Sequence, residues 1–180
     1  MKFYGTEKPS IFTGWVLVLL AVPMFSLFGS QAQSFLEGVI GTSGIGVMFA
    51  SVIGLALLGT AGWIVRGTSK RGLLHLIWIG AVAGAIMYHV AGNPERWYHL
   101  PLFGTVGFLT IQMFDIRTGA ELSMAVAFFD EFFQFYLPFR TGSVEDVFIN
   151  AVSAGLGLTI WVLIQPDVDG KALSVPAEDR

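Results

Sequence analysis

Six long apolar runs limit the folds open to this chain more than any other feature of its sequence. They span residues 11–28, 45–65, 73–90, 94–114, 119–137 and 146–164. Each run is close to the ~20 residues with which a helix crosses ~30 Å of hydrocarbon. Because hydrocarbon offers the backbone no hydrogen-bond partners, runs of this kind cross it as helices. The sequence predicts an all-α, polytopic helical membrane protein with about six transmembrane helices, or five if one run is re-entrant.

The small share of charged residues supports the membrane prediction. Only 13% of the 180 residues are Asp, Glu, Lys or Arg, whereas a soluble domain carries about 25%. The ten basic residues are spread along the chain and form no basic stripe of the kind that binds nucleic acid. The absence of cysteine excludes disulfides, thiolate metal ligands and thiol catalysis. Membrane lipids are therefore the predicted partner, and nucleic acid is excluded.

The basic residues also predict an orientation, because Lys and Arg concentrate in the cytoplasmic connections of membrane proteins. With both termini in the cytoplasm, the cytoplasmic side receives eight of the ten: Lys2, Lys8, Arg66, Lys70, Arg71, Arg117, Lys171 and Arg180. Arg96 and Arg140 fall on the opposite side. We expect a multi-pass protein of the inner (plasma) membrane, with one transmembrane domain at residues 1–165 and a polar C-terminal tail at residues 166–180.

A polar stretch at residues 130–150 interrupts the apolar pattern. Asp130, Glu131 and Gln134 lie inside the fifth run, and Arg140 follows on a short connection. A carboxylate within a transmembrane helix costs about 2.5–3.5 kcal/mol on insertion scales. Two adjacent carboxylates are therefore expected to be paired, protonated or bound to a ligand. We predict that Arg140 folds back to form a bidentate pair with one of them.

Two neighbouring runs place polar side chains at the same depth. Glu95 and His99 are four residues apart near the outer end of the fourth run, and Asp146 and Asn150 are four apart at the start of the sixth. Side chains four apart share one face of a helix. Three helices thus present polar faces on the outward side, and we expect these faces to form one cluster. Its predicted members are Glu95, His99, Asp130, Glu131, Gln134, Arg140, Ser143, Asp146 and Asn150.

Short local patterns predict where three of the helices begin. Asn93 followed by Pro94 is typical of an N-cap with proline at the first helical position. The pairs Thr118 with Glu121 and Ser143 with Asp146 have the spacing of capping boxes. These patterns predict helix starts for the fourth, fifth and sixth runs.

Some members of the predicted cluster also fit plain structural roles. Glu95 and Asp146 are acids in a predicted first helical turn, where the helix dipole favours a negative charge. His99 taken alone fits hydrogen-bonded packing better than ligand binding. Asp130 and Glu131 have the weakest structural explanation, because serine, threonine or glutamine would build a polar cluster at lower cost.

His75 and His89 lie in the third run, where packing roles are favoured over axial ligation of a haem or chlorophyll. The sequence has no HExxH-like spacing, no nucleophile elbow and no phosphate-cradling loop. We predict no metal and no cofactor. Whether the protein is an enzyme stays open, and the missing nucleophile favours a function without catalysis.

The polar residues resemble the VanZ-like family of integral membrane proteins. The matching segments are Glu95-Arg96-x-x-His99 with Phe103, Asp130-Glu131-x-x-Gln134, and Arg140-x-Gly142-Ser143-x-x-Asp146 with Asn150. They define a VanZ-like core at residues 93–163, in which Arg96 stands where lysine is usual and Phe103 where tyrosine is common. The resemblance implies an association with low-level resistance to the glycopeptide teicoplanin. It implies no particular biochemical activity, because most members of the family have none established.

The leading hypothesis is that the outward-facing cluster binds the head group of a lipid or an envelope precursor. Arg140 would hold an anionic group, and Asp130 and Glu131 would recognise an amine, a hydroxyl or a cation. A first alternative is an accessory subunit of a larger membrane complex, in which the cluster is a structural lock and apolar faces contact partner subunits. A second alternative is a membrane enzyme acting on lipid-linked substrates, with His99 and one carboxylate exchanging protons.

Overall fold

The computed structural model describes residues 9–67, 71–93, 96–138 and 140–165. These residues form five helices: α1 (Pro9–Gly67), α2 (Arg71–His89), α3 (His99–Met113), α4 (Ile116–Phe135) and α5 (Val144–Ile164). The described part of the chain contains no β-strand, and the predicted all-α fold is confirmed. The predicted C-terminal tail lies outside the described residues. Of the basic residues behind the predicted orientation, six have side chains that are not described: Lys2, Lys8, Lys70, Arg71, Lys171 and Arg180.

α3 and α5 form the centre of the bundle and run parallel to each other. His99, at the start of α3, contacts Asn150 near the start of α5. Further along, the rings of Phe108 and Trp161 meet edge to face with their centroids 5.5 Å apart. Polar side chains near the start of both helices therefore lie at one end of the bundle, which we call the site end.

Two glycines let the backbones of α3 and α5 touch. A Cβ placed on Gly107 would collide with the carbonyl oxygen of Ala154, and a Cβ on Gly157 would collide with the carbonyl oxygen of Gly104. Both obstacles are backbone atoms, which cannot swing aside as a side chain can. Close helix crossings of this kind depend on small residues at the contact.

Replacing Gly157 with alanine is expected to force α3 and α5 apart and to lower stability by about 1–3 kcal/mol, the usual cost of overpacking. Gly155 supplies a matched control two residues earlier on α5, because no atom of the described part of the chain lies within 4 Å of a Cβ placed there. Thermal unfolding of the purified protein in detergent measures the difference. Equal melting temperatures for Gly157→Ala and Gly155→Ala would contradict the close crossing.

α1 reverses direction at Gly41, where φ is 70° and ψ is 164°, a combination that glycine adopts readily and other residues avoid. The indole of Trp15 donates to the hydroxyl of Thr110 near the end of α3 at 3.0 Å. The indole of Trp63 donates to the carbonyl of Ile164 at the end of α5, also at 3.0 Å. Both tryptophans therefore lie at the end of the bundle opposite the site end. Residues 9–40 and 42–67 run in opposite directions, and each contains one of the first two apolar runs.

The outer surface of the bundle is apolar. Within the described ranges, three helical segments are long and apolar enough to cross a membrane: Pro9–Arg66, Gly72–His89 and Val144–Ile164. α3 has only 15 residues, about 22 Å of helix at 1.5 Å per residue. Large exposed side chains on the other helices include Phe35, Leu55, Leu58, Ile77 and Phe128. A surface of this kind suits lipid rather than water.

The predicted start of α5 is confirmed, and that of α4 is wrong. Ser143 precedes α5, and its side chain accepts from the backbone N–H of Asp146 at 3.4 Å. α4 begins at Ile116 rather than after Thr118, because Asp115 is the N-cap. The Asp115 carboxylate accepts from both the backbone N–H and the hydroxyl of Thr118, at 3.0 and 2.9 Å. An aspartate three residues earlier takes the capping role that the sequence pattern assigned to Thr118.

In the fourth run the α-helix α3 begins at His99, with Tyr98 as its N-cap residue, which is later than the start predicted at Pro94. The backbone N–H of Arg96 donates to the carbonyl of Asn93 at 3.0 Å, and Arg96 has the 3₁₀ conformation. Pro94 and Glu95 lie outside the described residues. The predicted sharing of one helix face by Glu95 and His99 is therefore left without structural support.

Candidate functional site

α4 turns its polar side chains into the bundle at the site end. Asp130, Glu131 and Gln134 are 3%, 4% and 3% exposed, whereas Phe128 and Phe132 on the same helix are 62% and 49% exposed. In a helix that faces water, the polar side chains are exposed and the apolar ones are buried; on this part of α4 the reverse is true. It places two adjacent carboxylates where each needs partners from neighbouring helices.

Asp130 is held against α1. The hydroxyl of Ser26 contacts Oδ1 of Asp130 as a hydrogen-bond donor, and Nε2 of Gln134 donates to Oδ2 at 3.0 Å. Ser26 was missed by the sequence analysis. A lone serine in an apolar helix commonly bonds the carbonyl four residues earlier, and Ser26 Oγ does lie 3.2 Å from the carbonyl oxygen of Val22. Nothing local in the sequence indicates its second partner on a distant helix.

Glu131 is held against α5 and the connection that precedes it. Its Oε2 accepts from the backbone N–H of Ser143 at 3.0 Å. Its Oε1 accepts from the side-chain amides of Asn150 at 3.2 Å and Gln134 at 3.4 Å. Three donors thus converge on one carboxylate, and the two from Ser143 and Asn150 tie the end of α4 to the start of α5.

The position of Gly142 explains how this connection comes so close to α4. A Cβ on Gly142 would collide with the carbonyl oxygen of Glu131 and lie 3.1 Å from the backbone nitrogen of Phe135. The absence of a side chain lets the connection lie directly on the last turn of α4. Ser143, the next residue, is then within reach of the Glu131 carboxylate.

His99 is linked to Glu131 through Asn150. The Asn150 amide donates to Glu131, so its oxygen faces the His99 ring, 2.5 Å from Nδ1. In this arrangement Nδ1 carries the hydrogen and donates it to Asn150. The ring is buried and stacked against Tyr98 and Phe103, with centroid distances of 4.4 and 6.1 Å. Hydrogen bonding and stacking together fix the orientation of the imidazole.

Arg140 reaches the cluster through neutral groups. Its Nη2 donates to the Tyr98 hydroxyl at 2.9 Å and to Oε1 of Gln134 at 3.2 Å. Among the described residues it forms no salt bridge with Asp130 or Glu131, so the predicted bidentate pair is wrong. Gln134 stands between the guanidinium and the carboxylates, because its oxygen faces Arg140 while its amide nitrogen faces Asp130 and Glu131.

A group of charged side chains around Arg96 lies next to the hydrogen-bonded cluster. Nη1 of Arg96 donates to Oε2 of Glu145 at 2.7 Å, and its Nε lies 3.1 Å from Oδ1 of Asp146. The second contact lacks hydrogen-bond geometry and is an ion pair only. Partial burial works against the charged form of Arg96, but the hydrogen bond with Glu145 and the charge of Asp146 raise the pKa of its guanidinium above the ordinary value. Arg96 is therefore a fixed positive charge next to the cluster.

Both remaining histidines have side-chain partners. Nδ1 of His75 accepts from the indole of Trp78 at 3.1 Å. Nε2 of His89 contacts the Glu145 carboxylate. Both side chains are exposed, and the contact with Glu145 places His89 at the edge of the charged group around Arg96.

A cavity of about 330 Å³ opens beside these groups. The residues that line it are Asn93, Arg96, His99, Gln134, Pro138, Arg140, Thr141 and Asp146. Its volume is at the lower end of the ~300–1,000 Å³ found for small-molecule sites. Asp130 and Glu131 do not line it; Asp130 accepts from Gln134, which is part of the wall, and Glu131 accepts from Asn150, the partner of His99. The two carboxylates therefore position the groups that face the cavity.

Eight of the nine predicted site residues are described, and the structure brings them together at the site end. Seven of them form the hydrogen-bonded cluster: His99, Asp130, Glu131, Gln134, Arg140, Ser143 and Asn150. Asp146 belongs to the neighbouring charged group, and Glu95 lies outside the described residues. Ser26, Tyr98 and Glu145 complete the site and were not predicted.

Comparison with protein-family models, curated proteins and solved structures finds no match for this chain. We therefore infer the ligand of the site from its charges, its shape and its position in the bundle.

Proposed function

We propose that the chain is a polytopic inner-membrane protein of the VanZ-like family that binds the anionic head group of a lipid or envelope precursor. The observation that carries this proposal is the cavity lined by two arginines, Arg96 and Arg140, in a bundle whose outer surface is apolar. Guanidinium groups match the oxygens of phosphate and carboxylate groups. A lipid is the natural ligand because its tail suits the apolar outer surface while its head group occupies the cavity.

The fixed geometry of the cavity wall supports recognition of a particular head group. Arg140 is anchored on Tyr98 and Gln134, and Arg96 is anchored on Glu145 and Asp146. Groups held in place before the ligand arrives lose less conformational freedom on binding. Asn93, Thr141 and Gln134 supply neutral hydrogen-bonding groups in the same wall, which suits a head group with hydroxyls as well as charge.

The proposed topology has six transmembrane segments, with both termini in the cytoplasm and the site end facing outward. The reversal of α1 at Gly41 supports the count, since it divides one long helix into two antiparallel segments. The basic residues support the orientation. Arg66 and Arg117 lie at the ends of α1 and α4 that are opposite the site, whereas Arg96 and Arg140 lie at the site end.

Replacing Arg140 with glutamine is expected to reduce retained anionic lipid at least tenfold, a change of about 1.4 kcal/mol or more. The substitution removes one of the two positive charges that face the cavity. The wild type and the variant are purified in mild detergent, and bound lipid is identified and quantified by mass spectrometry. Arg117→Gln is the control, because its side chain is 86% exposed and pairs with Glu121 at the opposite end of α4.

The same measurement separates this function from the alternatives. Equal retention of anionic lipid by the wild type, Arg140→Gln and Arg117→Gln would contradict the proposal. A stoichiometric protein partner that co-purifies in place of lipid would favour an accessory subunit of a larger complex.

A further inference from the structure

Three buried side chains in the cluster have donor atoms close enough to share an ion. A ring nitrogen of His99 and one carboxylate oxygen each from Asp130 and Glu131 lie within 4.8 Å of one another. In a tetrahedral site with bonds of ~2.1 Å, the ligand atoms are roughly 3–4 Å apart. Small side-chain rotations would therefore close this set around an ion. No local motif indicates the grouping, because His99 is on α3 and the two carboxylates are on α4.

The excess of negative charge in the site favours the binding of a cation. Among the described residues, four carboxylates (Asp130, Glu131, Glu145 and Asp146) meet two guanidiniums (Arg96 and Arg140), which leaves an excess of two negative charges when all are ionised. Arg96 is engaged with Glu145 and Asp146, and Nη2 of Arg140 donates to Tyr98 and Gln134. Burial of uncompensated carboxylates is costly. An excess of negative charge also opposes the binding of an anionic head group, and one divalent ion would remove it.

The hydrogen bonds around the three side chains resemble the outer shell of a metal site. His99 donates from Nδ1 to Asn150, which leaves Nε2 of a neutral imidazole as the nitrogen with a lone pair. Asp130 is oriented by Ser26 and Gln134, and Glu131 by the backbone N–H of Ser143. Ligating histidines and carboxylates are commonly fixed in this way by a second layer of partners.

We propose that His99, Asp130 and Glu131 bind a divalent first-row metal ion, such as Zn²⁺ or Mn²⁺, and that this ion completes the site for the anionic head group. One imidazole nitrogen with two carboxylate oxygens suits these ions better than Ca²⁺ or Mg²⁺, which prefer oxygen ligands alone. His99 also lines the cavity, so an ion on its ring has an open position next to the bound head group. This second part, the coupling to lipid, rests on the proposed function; the ion site does not.

The ion site is tested without lipid. The full-length protein in mild detergent is stripped with EDTA, supplied with Zn²⁺ or Mn²⁺ and desalted, and the retained metal is counted per chain by mass spectrometry. We expect one ion per wild-type chain. His99→Gln and Asp130→Asn are each expected to weaken binding at least about tenfold, because even the loss of an outer partner costs 10–100-fold. Glu121→Gln, an exposed carboxylate at the opposite end, is the control with unchanged binding.

A readout on the wild type alone covers the case in which a variant fails to fold. Electron paramagnetic resonance of bound Mn²⁺ is expected to show coupling to one imidazole nitrogen. Absence of that coupling, absence of bound metal, or equal binding by the wild type and a folded His99→Gln variant would overturn the ion site.

The coupling is tested with vesicles that contain phosphatidylglycerol, with or without EDTA. We expect the wild type to retain the anionic lipid with the ion present and to lose most of it after chelation. Metal binding with lipid retention that EDTA leaves unchanged overturns the coupling. Metal binding with no lipid retention in either condition overturns the proposed function and leaves the ion site standing.

Discussion

The Glu131→Ala protein is expected to unfold at a markedly lower temperature than the wild type, with a loss of roughly 2–5 kcal/mol in the free energy of unfolding. Glu131 accepts from the backbone N–H of Ser143 and from the side-chain amides of Asn150 and Gln134. Alanine leaves the N–H of Ser143 and the amide of Asn150 without this acceptor, while the amide of Gln134 keeps its bond to Asp130. Each unsatisfied buried donor costs about 1–3 kcal/mol, and water entering the space left by the side chain would recover part of that cost. Thermal unfolding in detergent measures the change.

Two further variants show whether the loss comes from the hydrogen-bond network. Glu131→Gln keeps the shape of the side chain and one acceptor oxygen, and it is expected to lose less stability than Glu131→Ala. Glu121→Ala removes an exposed carboxylate of the same helix whose partner is Arg117; exposed pairs of this kind are worth ~0–1 kcal/mol. If Glu131→Ala is no less stable than Glu121→Ala, the network does not stabilise the fold.

Much of the fold follows from the sequence because membrane helices have strong signatures. Long apolar runs predict helices, and every run lies on a helix of the structure over most of its length. The helix starts are less certain, since a start depends on which nearby side chain reaches the first backbone N–H groups. Asp115 and Thr118 illustrate this point, because both are good caps and only the structure shows that Asp115 takes the role.

The ionisable residues of the site could be predicted from the sequence, because they stand out in an apolar chain. The serine and tyrosine of the site could not. Asp130, Glu131 and Arg140 stand out because charge is costly in such a helix. Ser26 and Tyr98 do not, since serine and tyrosine occur in membrane helices without a special role. Ser26 reaches Asp130 only because α1 packs against α4, and Tyr98 reaches Arg140 only because of the position of the turn before α3.

The structure also changes which residues of the site are expected to contact the ligand directly. The sequence-based hypothesis gave Asp130 and Glu131 direct contact with the ligand. In the structure, the cavity wall contains His99 and Gln134, and the carboxylates lie behind them. Substitutions of the two carboxylates are thus expected to act on binding through the orientation of these neighbours, or through an ion, and on stability at the same time. Substitutions of Arg140 act on the charge of the cavity itself.

The Gly142→Ala protein is expected to lose binding of the proposed anionic head group at least tenfold, although Gly142 does not line the cavity. A methyl group there would collide with the carbonyl oxygen of Glu131 and crowd the backbone nitrogen of Phe135. Because both obstacles belong to the backbone of α4, the connection at residues 140–143 must move away from the helix. Arg140 then leaves its position on Tyr98 and Gln134, and the N–H of Ser143 leaves Glu131. Lipid retained after purification, quantified by mass spectrometry, measures the loss.

A glycine in another connection at the site end provides the matched comparison. No described residue lies within 4 Å of a Cβ placed on Gly92, so Gly92→Ala is expected to retain lipid as the wild type does. A melting temperature is measured for each variant, because overpacking at Gly142 is also expected to cost about 1–3 kcal/mol. Wild-type lipid retention by a folded Gly142→Ala protein would show that the position of the 140–143 connection is unimportant for binding. If Gly142→Ala loses lipid and Gly92→Ala does not, head-group binding depends on the close contact between this connection and α4.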